Sequence, residues 1–252
     1  MSPAGGPAAL AAAAASRVPA PLRALLVAPA LAAVGLGGGS LLVVALLAVA
    51  PDLTVLPETV LRVLLLQGLS FGGVSVLYLR ARGLPRGYVG VSMPDLEGWL
   101  HAAAGYVLAL VGAFTTVVVV VFFLGLTPAE NRAAELGRRD PRVFLALAVL
   151  AVAVIAPGEE LLFRGVVQSR LRETFSAPLG VALATVIFAV AHAPALAGPT
   201  SGVALTVTLL FVPALVFAVI YERTGTVVVP AAAHGAYNVT LFGIAYLSVA
   251  VG

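Results

Sequence analysis

Positions that carry no charge dominate the chain and come in long stretches: Ala24 to Pro51, Val63 to Leu79, Gly98 to Ala129, Val143 to Gly158, Thr174 to Tyr221 and Thr224 to Gly252. A helix of about 20 apolar residues crosses a hydrocarbon layer of about 30 Å, so most of these stretches predict one membrane-spanning helix each. Thr174 to Tyr221 is long enough for two. The run from Ala193-Pro194 through Gly198-Pro199-Thr200-Ser201-Gly202 divides it, ending one helix before Val203 begins the next. Only helices and closed barrels satisfy their backbone hydrogen bonds in lipid. Continuous Ala- and Leu-rich runs lack the alternation of a barrel strand. The pattern therefore predicts an all-α, polytopic transmembrane helical bundle of about seven helices. Within the first span, Gly35 to Ser40 (GLGGGS) predicts close helix packing through small residues rather than a kink.

Composition sharpens this picture. Hydrophobic residues make up 61% of the 252 and charged ones 10%, against roughly a quarter charged in a soluble domain, so lipid is the expected partner of most of the surface. All 14 basic residues are arginines, set between apolar spans rather than clustered on one face, which excludes nucleic acid as a partner. With no Cys there is no disulfide, thiol nucleophile or thiolate metal site. Arg17 and Arg23, then Arg80, Arg82 and Arg86, then Arg170 and Arg172, then Arg223 fall on one side of the scheme. That side is expected to be cytoplasmic together with the N-terminus. The third loop, with Arg132, Arg138, Arg139 and Arg142, argues the other way. Residues 1–21 read as a flexible tail, a cleaved leader being the alternative, since no basic segment precedes the run Ala8 to Ala15. The all-Arg, Ala-rich usage suggests a bacterial cell membrane. The expected organisation is N-terminal helices over 22–141 and a catalytic core over 142–252.

The second half places ionisable and amide groups where lipid makes them costly, at least about 2.5 kcal/mol for a charge at the bilayer centre. Three segments carry them: Glu159-Glu160-Leu161-Leu162-Phe163-Arg164, Phe188 to His192, and His234 to Asn238. Residues four apart share a helix face and adjacent ones diverge by about 100°. Glu160 and Arg164 are therefore expected to pair along the helix, leaving Glu159 unpaired as a candidate general base. A structural salt-bridged knot of all three is the competing reading. Phe188 and His192 share a face, as packing wall and polar contact. His234 and Asn238 share another, able either to donate hydrogen bonds to a developing oxyanion or to join two helices. His101 beside Trp99 reads as an interfacial residue and Tyr221, Tyr237 and Tyr246 as packing or interfacial ones, while Pro157 and Pro230 are expected to distort their helices.

In these three motifs, EExxxR, FxxxH and HxxxN in that order, the chain resembles the CAAX protease and bacteriocin-processing family of intramembrane proteases, type II CAAX prenyl endopeptidases among them. The resemblance covers roughly Val143 to Leu247. It implies peptide-bond hydrolysis within the membrane, with Glu159 and His192 activating a water, His234 and Asn238 stabilising the oxyanion, and Glu160 and Arg164 holding the helix in place. The family has also been classed as metalloproteases, so zinc held by Glu159, His192 and His234 is the alternative; because HExxH is missing and Asn238 suits oxyanion donation better than zinc ligation, a glutamate-activated water with no cofactor is expected. Access is expected from the cytoplasm, with His192 further along its helix than that picture prefers. The expected partner is a membrane-associated peptide or protein. A proton-coupled carrier is the reading from another class, but EExxxR and HxxxN do not recur in residues 1 to 141. A protease-like scaffold is a third. Sequence leaves the oligomeric state open.

Overall fold

Each apolar run becomes a helix in the computed structural model, which describes residues 18–250. Seven helices are long and apolar enough to span a bilayer: α1 (Ala20–Val49), α2 (Val55–Ala81), α3 (Leu96–Phe123), α5 (Arg142–Arg172), α6 (Ala177–Ala195), α7 (Thr200–Thr224) and α8 (Val228–Ala250). A short polar helix, α4 (Arg132–Arg139), lies between α3 and α5. The protein is an all-α polytopic bundle and an integral membrane protein. Large apolar side chains such as Leu41, Leu77, Phe122, Phe123 and Val149 point outward, as they must where the surrounding solvent is hydrocarbon.

Local chemistry sets the helix ends. Asp95 caps α3 by accepting from the Gly98 amide at 2.9 Å, Asn131 caps α4 by accepting from Ala133 at 2.8 Å, and Gly225 ends α7 in the left-handed region at φ 64°. The tail assignment to residues 1–21 and its leader alternative fall mainly on residues 1–17, outside the described residues. Helix α1 already begins at Ala20, with Pro21 in its first turn. Helix α7 likewise starts three residues before the expected Val203, because extended Pro199 caps it directly.

The glycines of α1 act through packing. A Cβ on Gly35 would lie 2.9 Å from Leu162 and 3.1 Å from Phe71, one on Gly39 would lie 2.2 Å from Leu66, and Ser70 of α2 donates to the Gly35 carbonyl at 2.7 Å. Ala32, Phe71 and Tyr78 from the first half then share one core with Leu162, Phe163, Phe188 and Ala214 from the second. Arginines of the third loop are largely neutralised nearby: Arg138 pairs with Glu130, Arg139 with Glu135 and Arg142 with Asp140. This explains how four arginines can sit opposite the otherwise arginine-rich end.

Three helices depart from regular geometry, α3 only over its last turn, Val119–Phe123. The Leu64–Phe71 segment of α2 is π-helical, and so are two segments of α5, Ala151–Ile155 and Leu161–Gln168, which flank Ala156–Glu160. Pro157 has no amide to donate and its ring crowds the preceding turn, so widening that turn relieves both conflicts. The distortion expected at Pro157 is therefore present, and it lies immediately before the glutamate pair.

Candidate active site

Helix α5 brings Glu159 and Glu160 to its buried side together. Glu160 is fully buried and holds two partners: Arg164 Nε donates to its Oε2 at 3.0 Å, and His234 Nδ1 from α8 lies 2.9 Å from its Oε1. Arg164, also fully buried, donates from Nη2 to the Ala214 carbonyl of α7 at 3.3 Å and lies 4.5 Å over the Phe188 ring. An unpaired buried charge would shift its protonation or its place, so this mutual pairing is what permits both groups in the bundle interior, although Arg164 Nη1 has no hydrogen-bond partner among the described residues. The expected Glu160–Arg164 pair is observed, with His234 as a third member that helix spacing on α5 alone could not reveal.

Glu159 turns towards two histidines. Its Oε2 lies 3.7 Å from His192 Nε2 and 4.0 Å from His234 Nε2, and it has no hydrogen-bond partner among the described residues. These separations exceed a direct hydrogen bond, and a water bound beside the carboxylate would lie within reach of the rings. His192 Nδ1 lies 2.8 Å from the Phe188 carbonyl, which can only accept, so the neutral ring carries its proton there and turns a lone pair towards Glu159. His234 Nδ1 lies against Glu160 Oε1, which leaves its Nε2 turned towards Glu159. Both Nε2 atoms thus converge on one carboxylate oxygen. Asn238, one turn after His234 on α8, is half-buried and its side-chain amide has no partner among the described residues.

Helix α6 explains the position of His192. Its regular α-helical part, Ala177–Ala191, is about 22 Å long and is capped by His192. Its last turn, Ala193–Ala195, and the strand pairing of Leu196–Ala197 (β2) with Glu130–Asn131 (β1) lead the chain on to α7. The Ala129 amide donates to the Gly202 carbonyl at 3.0 Å and Thr206 donates to the Ala129 carbonyl at 3.0 Å, fixing that return. The approach to His192 therefore lies at the end opposite the arginine-rich loops, whereas Val228, where α8 sets out towards His234, lies at the arginine-rich end.

Aromatic rings wall the site. Phe188 lies 4.5 Å from the His192 ring and 6.0 Å edge-on to His234, with Phe163 edge-on behind it at 5.0 Å. Phe217 of α7 stacks on His234 at 4.8 Å and 18°. Nothing in the sequence singles out Phe217, one apolar residue among many on α7. Gln67 is different: it is an amide within the charge-free stretch Val63 to Leu79. Its Oε1 is buried and has no partner among the described residues, and its backbone oxygen lies 2.1 Å from where a Cβ on Gly158 would stand. The unusual polarity of that position was legible; its crossing with α5 was not. His101, as expected, stays outside the site, with Nδ1 2.9 Å from the Glu97 carbonyl.

Residues 141–240 match the family model described as type II CAAX prenyl endopeptidase Rce1-like. The match covers less than half of the chain and contains all three motifs, EExxxR, FxxxH and HxxxN. No curated protein and no solved structure matches the chain.

Proposed function

We propose that the protein is an intramembrane endopeptidase in which Glu159 and His192 activate a water and His234 and Asn238 stabilise the oxyanion. The observation that carries this reading is the convergence of two imidazole Nε2 atoms, from α6 and α8, on the otherwise unpartnered Glu159 Oε2. Water held between Glu159 and His192 loses a proton to the carboxylate as its oxygen bonds to the peptide carbonyl carbon. Negative charge then develops on the carbonyl oxygen, facing His234 Nε2–H and the Asn238 amide. His234 donates from a ring protonated on both nitrogens, its Nδ1–H held by Glu160. Two carboxylates, one guanidinium and one imidazolium then balance in charge. Collapse of the intermediate breaks the C–N bond, and the proton on Glu159 passes to the departing amine. Glu160 and Arg164 position His234 and the α5 helix without touching substrate.

Among the described residues, no three His, Asp or Glu side chains converge closely enough to hold a metal ion, so no step is routed through one. The candidate substrates are small peptide precursors and other membrane proteins, at a segment unwound enough to expose its backbone. The test is cleavage of membrane peptides in detergent by wild type and by Glu159→Ala, His192→Ala and His234→Ala variants, with and without chelator. Loss of cleavage in all three variants and indifference to chelator support the reading. Undiminished cleavage by the variants overturns the site, and chelator inactivation reversed by zinc makes Glu159, His192 and His234 a ligand set.

A further inference from the structure

Away from this site, at the arginine-rich end of the bundle, a cavity of about 370 Å³ opens between the start of α1 and the ends of α2 and α5. Its lining is Arg23 and Val27 from α1, Tyr78 and Arg82 from α2, and Arg170 and Glu173 from the end of α5. The charges do not cancel. Glu173 is the one carboxylate, and it already accepts from Arg82 at 2.6 Å, from Arg170 at 3.0 Å and from the Tyr88 hydroxyl at 2.6 Å. Arg23 has no carboxylate partner among the described residues, so three guanidinium groups face one anion. The lining is also built rather than loose. Arg170 is 5% exposed and Tyr78 8%, and Arg82 donates to the Tyr78 hydroxyl at 2.8 Å while lying over its ring.

Excess positive charge beside hydrocarbon calls for an anion, and a cluster of arginine forks with a phenol hydroxyl suits phosphate oxygens. The surroundings indicate what carries that phosphate. Val27 forms an apolar wall one turn inward from Arg23, and Leu22, Leu25 and Leu26 project from the same stretch of α1 towards lipid. A group bound here keeps its phosphate among arginines and its tail along α1. We propose that this cavity binds the phosphodiester headgroup of an anionic phospholipid, with Arg23, Arg82 and Arg170 as its ligands. Arg170 lies 11 positions after Glu159, about 16 Å along the helix, so the site stands independently of the proteolytic reading.

The test is titration of the full-length protein in neutral detergent, read by native mass spectrometry and thermal shift, with phosphatidylglycerol, phosphatidylcholine and inorganic phosphate as probes. Phosphatidylglycerol is expected to bind at one copy per chain and raise the unfolding midpoint, with phosphatidylcholine ineffective. Arg23→Gln removes an exposed side chain with no ion-pair partner, so the fold is retained while phosphatidylglycerol affinity falls about 5-fold. Arg132→Gln, on exposed α4 at the other end, is expected to leave affinity unchanged and controls for general charge. A phosphate response equal to that of phosphatidylglycerol would move the assignment to a soluble phosphate ester and overturn the lipid. Equal binding of both lipids, or equal affinity of Arg23→Gln and wild type, would overturn the site itself.

Discussion

Adjacent residues of the same type do opposite work in this protein. Glu160 is saturated by Arg164 and His234, whereas Glu159 keeps a buried oxygen without a partner. Removing one member of a buried, paired network leaves the others uncompensated, so Glu160→Gln is expected to destabilise the fold by about 3–5 kcal/mol. Glu159→Gln changes a carboxylate that no hydrogen bond holds, and is expected to unfold no more readily than wild type while cleaving about 10²–10⁴-fold more slowly. Denaturation in detergent alongside peptide cleavage separates the two; equal destabilisation by both would remove the distinction. Asn238→Ala is expected to lower kcat by about 10²–10³ with an unchanged unfolding midpoint, as loss of one oxyanion donor requires. Residue types and helical spacing made the candidate set legible in the sequence, down to the Glu160–Arg164 pair. The grip of Glu160 on His234 was not legible, because it joins residues 74 apart across two helices.

At the scale of elements, the site depends on a distorted α5 meeting a distorted α2. Gly158 makes this possible, since a Cβ there would come within 2.1 Å of the Gln67 carbonyl oxygen, and backbone cannot step aside as a side chain can. Gly158→Ala is therefore expected to cost about 1–3 kcal/mol and to reduce cleavage, because any shift of α5 moves Glu159. Gly37→Ala, where a Cβ would meet open space, is expected to stay within about 0.5 kcal/mol of wild type. Thermal unfolding of the two variants checks the pair. The kink at Pro157 could be read from the missing amide, and the break between α6 and α7 from its Pro and Gly cluster. What could not be read was the pairing of Leu196–Ala197 with Glu130–Asn131, because it joins segments far apart in the chain.

Across the whole molecule, one carboxylate ties the loop after α2 to the loop after α5. Partial burial pushes the Glu173 carboxyl up, but hydrogen bonds from Tyr88 and Arg82 outweigh it and hold the group below the usual carboxylate range. A lowered folded-state value means that this stabilisation is fully present above the unfolded value of about 4.3 and is lost as pH falls through the folded one. The unfolding midpoint of wild type is expected to drop over that acidic window, and that of Glu173→Gln to drop less. Membrane class and helix number followed from hydropathy alone, since lipid leaves the backbone few alternatives. The convergence of α5, α6 and α8 on one oxygen did not, because it depends on packing between segments far apart in the chain. That convergence is the central claim, and its most direct measurement is mass analysis of a membrane peptide cleaved in water enriched in oxygen-18. Wild type is expected to place a single heavy oxygen in the new C-terminal carboxylate, with Glu159→Gln yielding almost no product; the same labelled product from Glu159→Gln at the wild-type rate would contradict the account.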